Sequence, residues 1–315
     1  MKTWDILGIG AVAVDDLVYL DGYPAPDSKT PVLEERREGG GLTGTALVAA
    51  ARLGARAAYA GVLGDDELSR FTIAELVAAG VDCSAVRRQP DARPIHSIVL
   101  VDRLTGQRTI LYSLAGVTPL SPQEVTDELI GRCRVLFVDS TVAAVALHAL
   151  RLAQRLGIPV VADLERTTPP EVLVLAREVD HLIVGAEFAR QVTGERDPAM
   201  AVRGLYSPAH QACVVTGGDQ GCWYMTRASA GTVYHRPACR VPVIDTTGCG
   251  DVFHGAYAAC IAAGEGIERA VAVATAAAAL KATQPGGRRG IPDRPTVEKF
   301  LQQQCAGRAQ PAHQA

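Results

Sequence analysis

Several features that would point to a membrane or a nucleic acid are scarce in this sequence. Lysine is rare, since Lys2, Lys29, Lys281 and Lys299 are the only four in 315 residues, and the formal net charge is −3. The arginines are scattered rather than gathered into a stripe, so we expect neither a nucleic acid nor an acidic membrane as a partner. No apolar run has the length of a membrane span, and the first residues lack the apolar core of a signal peptide. These absences predict a cytoplasmic protein.

The cysteines and histidines lack the spacings of metal-binding motifs. Eight cysteines are present without a CxxC pair, and the seven histidines include no HExxH pattern. Such patterns supply the ligands of many zinc sites. We therefore expect that any metal ion arrives with a substrate.

Apolar runs rich in β-branched residues alternate with helical patterns along most of the chain. The runs 135–138 and 158–161 are apolar throughout, as parallel strands are when helices cover both faces of a sheet. The alternation predicts βαβ units and a doubly wound, mostly parallel sheet flanked by helices. With 48% hydrophobic residues the chain can bury a large core, so we expect residues 1–305 to form a single α/β domain.

Three segments break this alternation, at about 14–20, 31–38 and 93–115. They mix charged and apolar residues, as antiparallel strands with one solvated face do, and the last contains a turn at 102–107. They are too few to build a second core and predict a small β-sheet lid. The polar residues 306–315 predict a flexible tail.

The segment Asp245-Thr-Thr-Gly-Cys-Gly-Asp251 stands immediately before an apolar helical pattern. The backbone amides of Gly248, Cys249 and Gly250 would lie at the positive end of that helix, which suits a phosphate or a developing phosphoryl charge. An acidic residue at the first turn of a helix is often only a cap. From these residues alone, Asp251 is either such a cap or a catalytic carboxylate.

The longer pattern, in which Gly255 and Ala256 follow Asp251 on the helix, resembles the C-terminal signature of the PfkB, or ribokinase-like, sugar kinases. The resemblance implies an ATP-dependent kinase with a doubly wound core and a β-sheet lid. It implies that Asp251 is the base that takes the proton of the acceptor hydroxyl, while the amides of residues 248–250 stabilise the transferring γ-phosphoryl group. Cys249 replaces the small residue usual there, which a backbone contact tolerates.

The N-terminal part of the chain supports the resemblance. Residues 8–15 resemble the first strand of that family running into its lid, and residues 39–46 resemble its first signature. The sugar contacts implied are Asp15, Gly40, Gly41 and Thr45. The glycines at 39, 41 and 44 also match a dinucleotide-binding GxGxxG, but the charged segment 32–38 cannot be the buried strand that such a motif follows.

Residues 214–223 read as a strand, a glycine-rich turn and a second strand, which by itself could be a plain hairpin. The absence of a Walker A pattern excludes a P-loop kinase. The ATP contacts that the family resemblance implies are Thr216, Gly218, Gly221, Ala282 and Gly287.

The family's Asn-x-x-Glu segment, which organises Mg²⁺, is altered here. Gly185 replaces the Asn and Phe188 the Glu, so the neighbouring Glu187 is either a metal contact through water or a surface residue of a helix. Mg²⁺ is still expected with ATP, held largely by phosphates and water. The resemblance also leaves room for a monovalent cation.

Within the family the chain most resembles the sulfofructose kinase branch, through residues 38–41, 49–55, 248–255 and 285–293. Lys29 matches a cationic residue of that branch, although Asn and Arg residues expected near positions 112 and 141 are missing. Arg108, on a proposed lid strand, is the next candidate contact for an acidic sugar. A nucleoside kinase and a non-catalytic nucleotide or sugar sensor stay open as alternatives, and pairing through the lid would make a homodimer.

Overall fold

The computed structural model describes residues 2–105, 107–229, 231–304 and 310–311. Its strands are β1 (Trp4–Ile9), β2 (Ala13–Leu20), β3 (Glu34–Gly40), β4 (Ala57–Tyr59), β5 (Val62–Leu63), β6 (Arg87–Arg88), β7 (Ile95–Asp102), β8 (Arg108–Ser113), β9 (Cys133–Asp139), β10 (Val160–Asp163), β11 (His181–Gly185), β12 (Ala212–Thr216), β13 (Cys222–Thr226), β14 (Tyr234–Arg236) and β15 (Gln310–Pro311). Its helices are α1 (Leu42–Arg52), α2 (Glu67–Ala78), α3 (Asp127–Gly131), α4 (Ala143–Leu156), α5 (Glu171–Glu178), α6 (Ala186–Thr193), α7 (Pro198–Leu205), α8 (Cys249–Ala262), α9 (Ile267–Lys281) and α10 (Arg294–Gln304). Apart from β15, the predicted tail 306–315 lies outside the described residues.

The main sheet has the strand order β15-β14-β13-β12-β11-β10-β9-β1-β4. Pairing is parallel from β12 to β4 and antiparallel from β12 to β15. The neighbours β9, β10, β11 and β12 are joined by connections that contain helices, because parallel strands need a crossover. The predicted mostly parallel sheet is therefore confirmed.

Helices cover both faces of this sheet. On β9, Leu136 and Val138 pack into the core on the side of α4 and α5, whereas Val135 and Phe137 pack on the side of α1 and α8. Successive side chains of a strand point to opposite faces, so a strand buried on both faces is apolar throughout. No helix of the described part of the chain is long and apolar enough to cross a bilayer.

A second, smaller sheet has the order β3-β2-β7-β8 and overlaps the three segments predicted to form a lid. β2 pairs antiparallel with β3, and β7 antiparallel with β8. β2 and β7 are parallel, however, so the expectation of antiparallel strands is wrong for that pair. The chain passes through α1 and α2 before β7, and such a crossover lets it run alongside β2 in the same direction.

The glycine-rich segment at 39–44 joins this small sheet to α1. The strand before it, β3, belongs to the small sheet and is partly exposed, so it is not the buried strand that a dinucleotide-binding motif follows. Gly41 caps α1 with φ 86°, and a Cβ there would lie 2.6 Å from the carbonyl oxygen of Ala11. Only glycine allows this close approach of α1 to the end of β1.

Candidate active site

The carboxyl ends of the parallel strands meet at one edge of the main sheet. β9 ends at Asp139 and β10 at Asp163, and these two residues pair in register. Residues of this edge and of the small sheet together line a cleft of about 330 Å³. Ligands of open α/β sheets bind outside the carboxyl ends of the strands. The cleft is therefore the candidate site.

The turn before α8 contributes to the wall of the cleft. Gly248 caps α8 with φ 74°, and a Cβ there would lie 2.7 Å from the carbonyl oxygen of Gly287. Asp245 holds the turn, because its carboxylate accepts hydrogen bonds of 2.8 Å from the amides of Thr247 and Gly286. Of the three predicted anion-binding amides, that of Cys249 already donates to the carbonyl oxygen of Thr246, at 3.2 Å. Those of Gly248 and Gly250 donate to no acceptor within the described residues.

Asp251 lies on the first turn of α8 and lines the cleft. Its carboxyl group accepts no hydrogen bond from any described residue, so it does not cap the helix. Burial raises its pKa well above the usual range of an aspartate, and the charges of Asp163 and Glu165 raise this pKa further. The guanidinium of Arg288 acts in the opposite direction. A carboxylate with a raised pKa and no hydrogen-bond donor is suited to accepting a proton.

Two buried residues fix the surroundings of this carboxylate. Asp139 accepts hydrogen bonds from the amide of Ala11 at 2.6 Å and from the hydroxyl of Thr43 at 2.7 Å, which ties β9 to β1 and α1. His254 is buried with Nδ1 3.4 Å from Oδ2 of Asp163. Gly255 allows α8 to touch α1, since a Cβ there would lie 2.0 Å from a backbone oxygen of α1. Gly255, the third glycine of the signature, is thus a packing requirement.

Four of the predicted sugar contacts lie where the small sheet meets α1. Asp15 and Gly41 line the cleft, and a Cβ on Gly40 would lie 2.1 Å from Oδ2 of Asp15. Burial raises the pKa of Asp15. Thr45 is buried on α1, where its hydroxyl accepts a 3.3 Å hydrogen bond from Nε of Arg288. Arg288 also donates to the carbonyl oxygen of Gly40 at 2.7 Å, so this buried guanidinium holds the glycine segment in place.

Two charged residues of the small sheet contact the turn before α8 or the loop beside it, which contains Gly287. Glu38, at the end of β3, is 7% exposed, and its Oε2 accepts a 3.0 Å hydrogen bond from the amide of Gly287. Arg108, on β8, places Nη1 3.9 Å from Oδ1 of Asp245. The small sheet is therefore joined to the turn around α8 by polar contacts.

The predicted nucleotide contacts occupy three separate segments. Thr216 ends β12 beside the end of β11, and Gly218 and Gly221 form the following turn with φ 61° and 91°. Ala282 is the C-cap residue that follows α9, and its carbonyl oxygen accepts hydrogen bonds from the amides of residues 244 and 245. Gly287 lines the cleft itself, opposite Gly248. Their contacts with a nucleotide stay a prediction.

Lys29, Arg108 and Glu187 are predicted contacts that do not line the cleft. Lys29 lies in the exposed connection between β2 and β3 and is not among the residues that line it. Glu187 is exposed on α6, where hydrogen bonds from Arg190 hold its pKa at about 2. Within the described ranges no group of three His, Cys, Asp or Glu residues is arranged to hold a metal ion. This arrangement is compatible with a Mg²⁺ ion bound mainly by phosphates and water.

The pfkB family of carbohydrate kinases matches residues 6–294 of the chain. The chain belongs to this family. Fructokinase-1 of Oryza sativa subsp. japonica, a curated relative, is 30% identical over 292 residues, which cover 84% of this chain and 88% of the relative. The pfkB fold recurs in a protein of Agrobacterium tumefaciens provisionally described as a ribokinase, with TM-score 0.86, 29% identity and coverage of 95% and 97% of the two chains. A ribokinase of Arabidopsis thaliana complexed with ribose and ATP shares the fold with TM-score 0.80 at 20% identity, covering 96% and 99%. The chain is thus a carbohydrate kinase with a ribokinase-like fold.

Four residues in or near the cleft were not predicted from the sequence as part of the site: Asp139, Asp163, Glu165 and Arg288. A signal for the first two was present, since each directly follows an apolar run and so ends a buried parallel strand. The carboxyl ends of such strands share one edge of the sheet. Arg288 gave no comparable signal, because it acts on residues more than 240 positions away.

Proposed function

We propose that this protein transfers the γ-phosphoryl group of ATP to a hydroxyl group of a small sugar or sugar derivative. The observation that carries the proposal is the carboxyl group of Asp251, which lines the cleft and accepts no hydrogen bond from any described residue. It directly follows the turn in which the amides of Gly248 and Gly250 donate to no described acceptor. A base and an anion-binding group side by side are what in-line phosphoryl transfer requires.

In this mechanism Asp251 accepts the proton of the acceptor hydroxyl. Its raised pKa brings the group nearer to neutral pH, where a base is most effective because it is both deprotonated and able to hold the proton. The amides of Gly248 and Gly250, at the positive end of α8, stabilise the charge on the transferring group. Mg²⁺, when bound with ATP, neutralises phosphate charge.

The sugar occupies the cleft between Asp251 and the small sheet. Asp15 is the proposed contact for sugar hydroxyls, supported by Gly40, Gly41 and Thr45 where the small sheet meets α1. The acceptor could carry an anionic group, as a fructose phosphate or sulfofructose does. Arg108 is better placed than Lys29 to contact such a group, because Arg108 lies on the small sheet beside Asp245.

The small sheet acts as a lid that excludes water during transfer. Its edge strand β8 is exposed along its whole length, including Leu111 at 54%. We also propose that this edge pairs with a second copy of the chain. A monomer at all concentrations in light scattering would contradict that pairing.

The first test of the proposed mechanism is Asp251→Asn. We expect it to retain ATP binding, measured by calorimetry, and to lose turnover by at least ~10²-fold, the lower range for loss of a general base. The control is Asp127→Asn, which changes an exposed carboxylate on α3 paired with Arg155 and should leave turnover unchanged. Turnover near the wild-type rate in Asp251→Asn would refute the role of this residue.

The acceptor is identified by measuring ADP release with Mg²⁺-ATP and a panel of candidates. The panel contains hexoses, fructose phosphates, sulfofructose, sugar acids and nucleosides. Turnover with nucleosides alone would replace the sugar by a nucleoside, and silence with every candidate would favour a non-catalytic sensor.

A further inference from the structure

A lysine ammonium group is buried behind the catalytic turn. Lys281 is the last residue of α9 and is 0% exposed, and its Nζ donates a 2.9 Å hydrogen bond to the backbone oxygen of Asp245. Within the described residues no carboxylate oxygen lies within 4.0 Å of this nitrogen. Lysine is almost never fully buried without a partner, because an ammonium group loses its hydration there. The position of Lys281 therefore needs a physical explanation.

Stabilisation of the helix end explains only part of it. A cation in the last turn of a helix interacts favourably with the negative end of the helix dipole, but a partly exposed lysine has the same benefit without loss of hydration. The ammonium group carries three donor hydrogens, and the described residues pair one of them. Stability alone does not favour this arrangement.

The turn holds the ammonium group at a fixed position relative to the anion-binding amides. The carbonyl oxygen of Ala282 accepts hydrogen bonds from the amides of Ile244 and Asp245, at 2.8 and 3.1 Å. The amide and the carbonyl oxygen of Asp245 are thus both bonded to the end of α9, while its carboxylate holds Thr247 and Gly286. A charge attached to Asp245 in this way moves with the turn that contains Gly248.

The positive charge of Lys281 can act through the turn on the phosphoryl group that is transferred. Negative charge develops on the phosphoryl group during transfer, and a fixed positive charge nearby stabilises it without reorganisation. Backbone carbonyl oxygens coordinate K⁺ in the selectivity filters of K⁺ channels, so the backbone oxygen of Asp245 is of a type that can supply one ligand to a monovalent cation. Here the lysine ammonium already occupies it.

We propose that Lys281 is a built-in cation of the phosphoryl-transfer site, which takes the place of a bound monovalent cation behind the anion-binding turn. The inference rests on the proposed kinase function. Lys281 acts through Asp245 and does not touch the substrate, so it is a positioning residue. The wild-type enzyme should then need no added K⁺.

The kinetic test compares rates in KCl and in tetramethylammonium chloride at equal ionic strength. We expect the wild-type kcat to agree within about twofold between the two salts. In tetramethylammonium, Lys281→Ala should lower kcat by about tenfold or more, less than the loss of a direct anion-hole donor, with little change in KM for the sugar. KCl or NH4Cl should raise the kcat of Lys281→Ala at least about threefold above its value in tetramethylammonium chloride. The control Lys299→Ala, an exposed lysine on α10, should resemble the wild type in both salts.

A melting experiment tests the cation site independently of activity. K⁺ should raise the melting temperature of Lys281→Ala relative to tetramethylammonium and leave that of the wild type unchanged. If no acceptor is phosphorylated, the kinase proposal fails while this measurement still decides the inference. Lys281→Met, which keeps the apolar stem, is compared with the wild type in the same way should the alanine variant not fold. Activation of the wild type by K⁺ beyond about threefold, or a variant with no response to K⁺ in rate or melting, would overturn the inference.

Discussion

At the scale of single residues, Asp163 is the charged neighbour with the largest effect on Asp251. Its negative charge opposes ionisation of Asp251 and so raises the pKa of the proposed base. Asp163→Asn removes this charge with little change in shape. We expect the pKa of Asp251 to fall, so that kcat, measured from pH 4 to 9, is retained to lower pH than in the wild type. Asp127→Asn should leave the profile in place, and an acidic limb that stays put or moves to higher pH in Asp163→Asn would contradict the prediction.

The site could be predicted from the sequence only where its residues are neighbours in the chain. Asp251 and the glycines at 248 and 250 stand within four positions, so a motif and the physics of a helix terminus suffice to find them. Asp163 and Arg288 contribute through space, and their positions depend on how strands and loops distant in sequence come together. The apolar run before Asp163 marks the end of a strand, but the charge interaction between Asp163 and Asp251 leaves no local pattern in the sequence.

At the scale of elements, the start of α8 depends on a single backbone conformation. Gly248→Ala puts a side chain at φ 74° and within 2.7 Å of the Gly287 carbonyl oxygen. The left-handed conformation costs about 1–2 kcal/mol, and the contact must displace the turn. We expect a lower melting temperature and at least ~10-fold lower kcat, because the amides proposed to bind the transferring phosphoryl group move.

A matched control exists just beyond the opposite end of the same helix. Gly264 has φ 78°, but a Cβ there meets no atom within 4 Å. Gly264→Ala should therefore lower the melting temperature and leave kcat unchanged. Equal kinetic effects in the two variants would show that the geometry of the turn at Gly248 is not what turnover requires.

The sequence predicts long or strongly patterned elements better than short ones. The main strands and α1, α4 and α9 follow from apolar patterns that persist over their length. In contrast, α7 has only eight residues, about two turns, over which a period of 3.6 is harder to recognise. The parallel pairing of β2 and β7 also escaped prediction, because register between distant strands depends on the crossover that joins them.

At the scale of the whole molecule, buried histidines and buried aspartates change the stability of the protein in opposite directions as the pH rises. Burial lowers the pKa of His181 and His210 to about 4, so the stability they contribute is present above pH 6.5 and is lost as the pH falls towards 4. Asp163 and Asp251 have raised pKa values, so their contribution is present below 3.8, the usual pKa of an aspartate, and is lost as the pH rises through the raised values. The melting curve of the wild type alone cannot separate these contributions.

The difference in stability between Asp251→Asn and the wild type isolates the contribution of the proposed catalytic carboxylate. Below pH 3.8 both proteins carry a neutral group at position 251, whereas at higher pH only the wild type must bury a charge beside Asp163. We therefore expect the melting temperature of the variant to exceed that of the wild type by a margin that grows from pH 4 to pH 8, as for active sites that sacrifice stability for function. Melting by calorimetry in matched buffers measures this margin, and Asp127→Asn should show none. A margin that is constant or shrinks with pH would mean that Asp251 does not bear the electrostatic strain that fits it to act as a base.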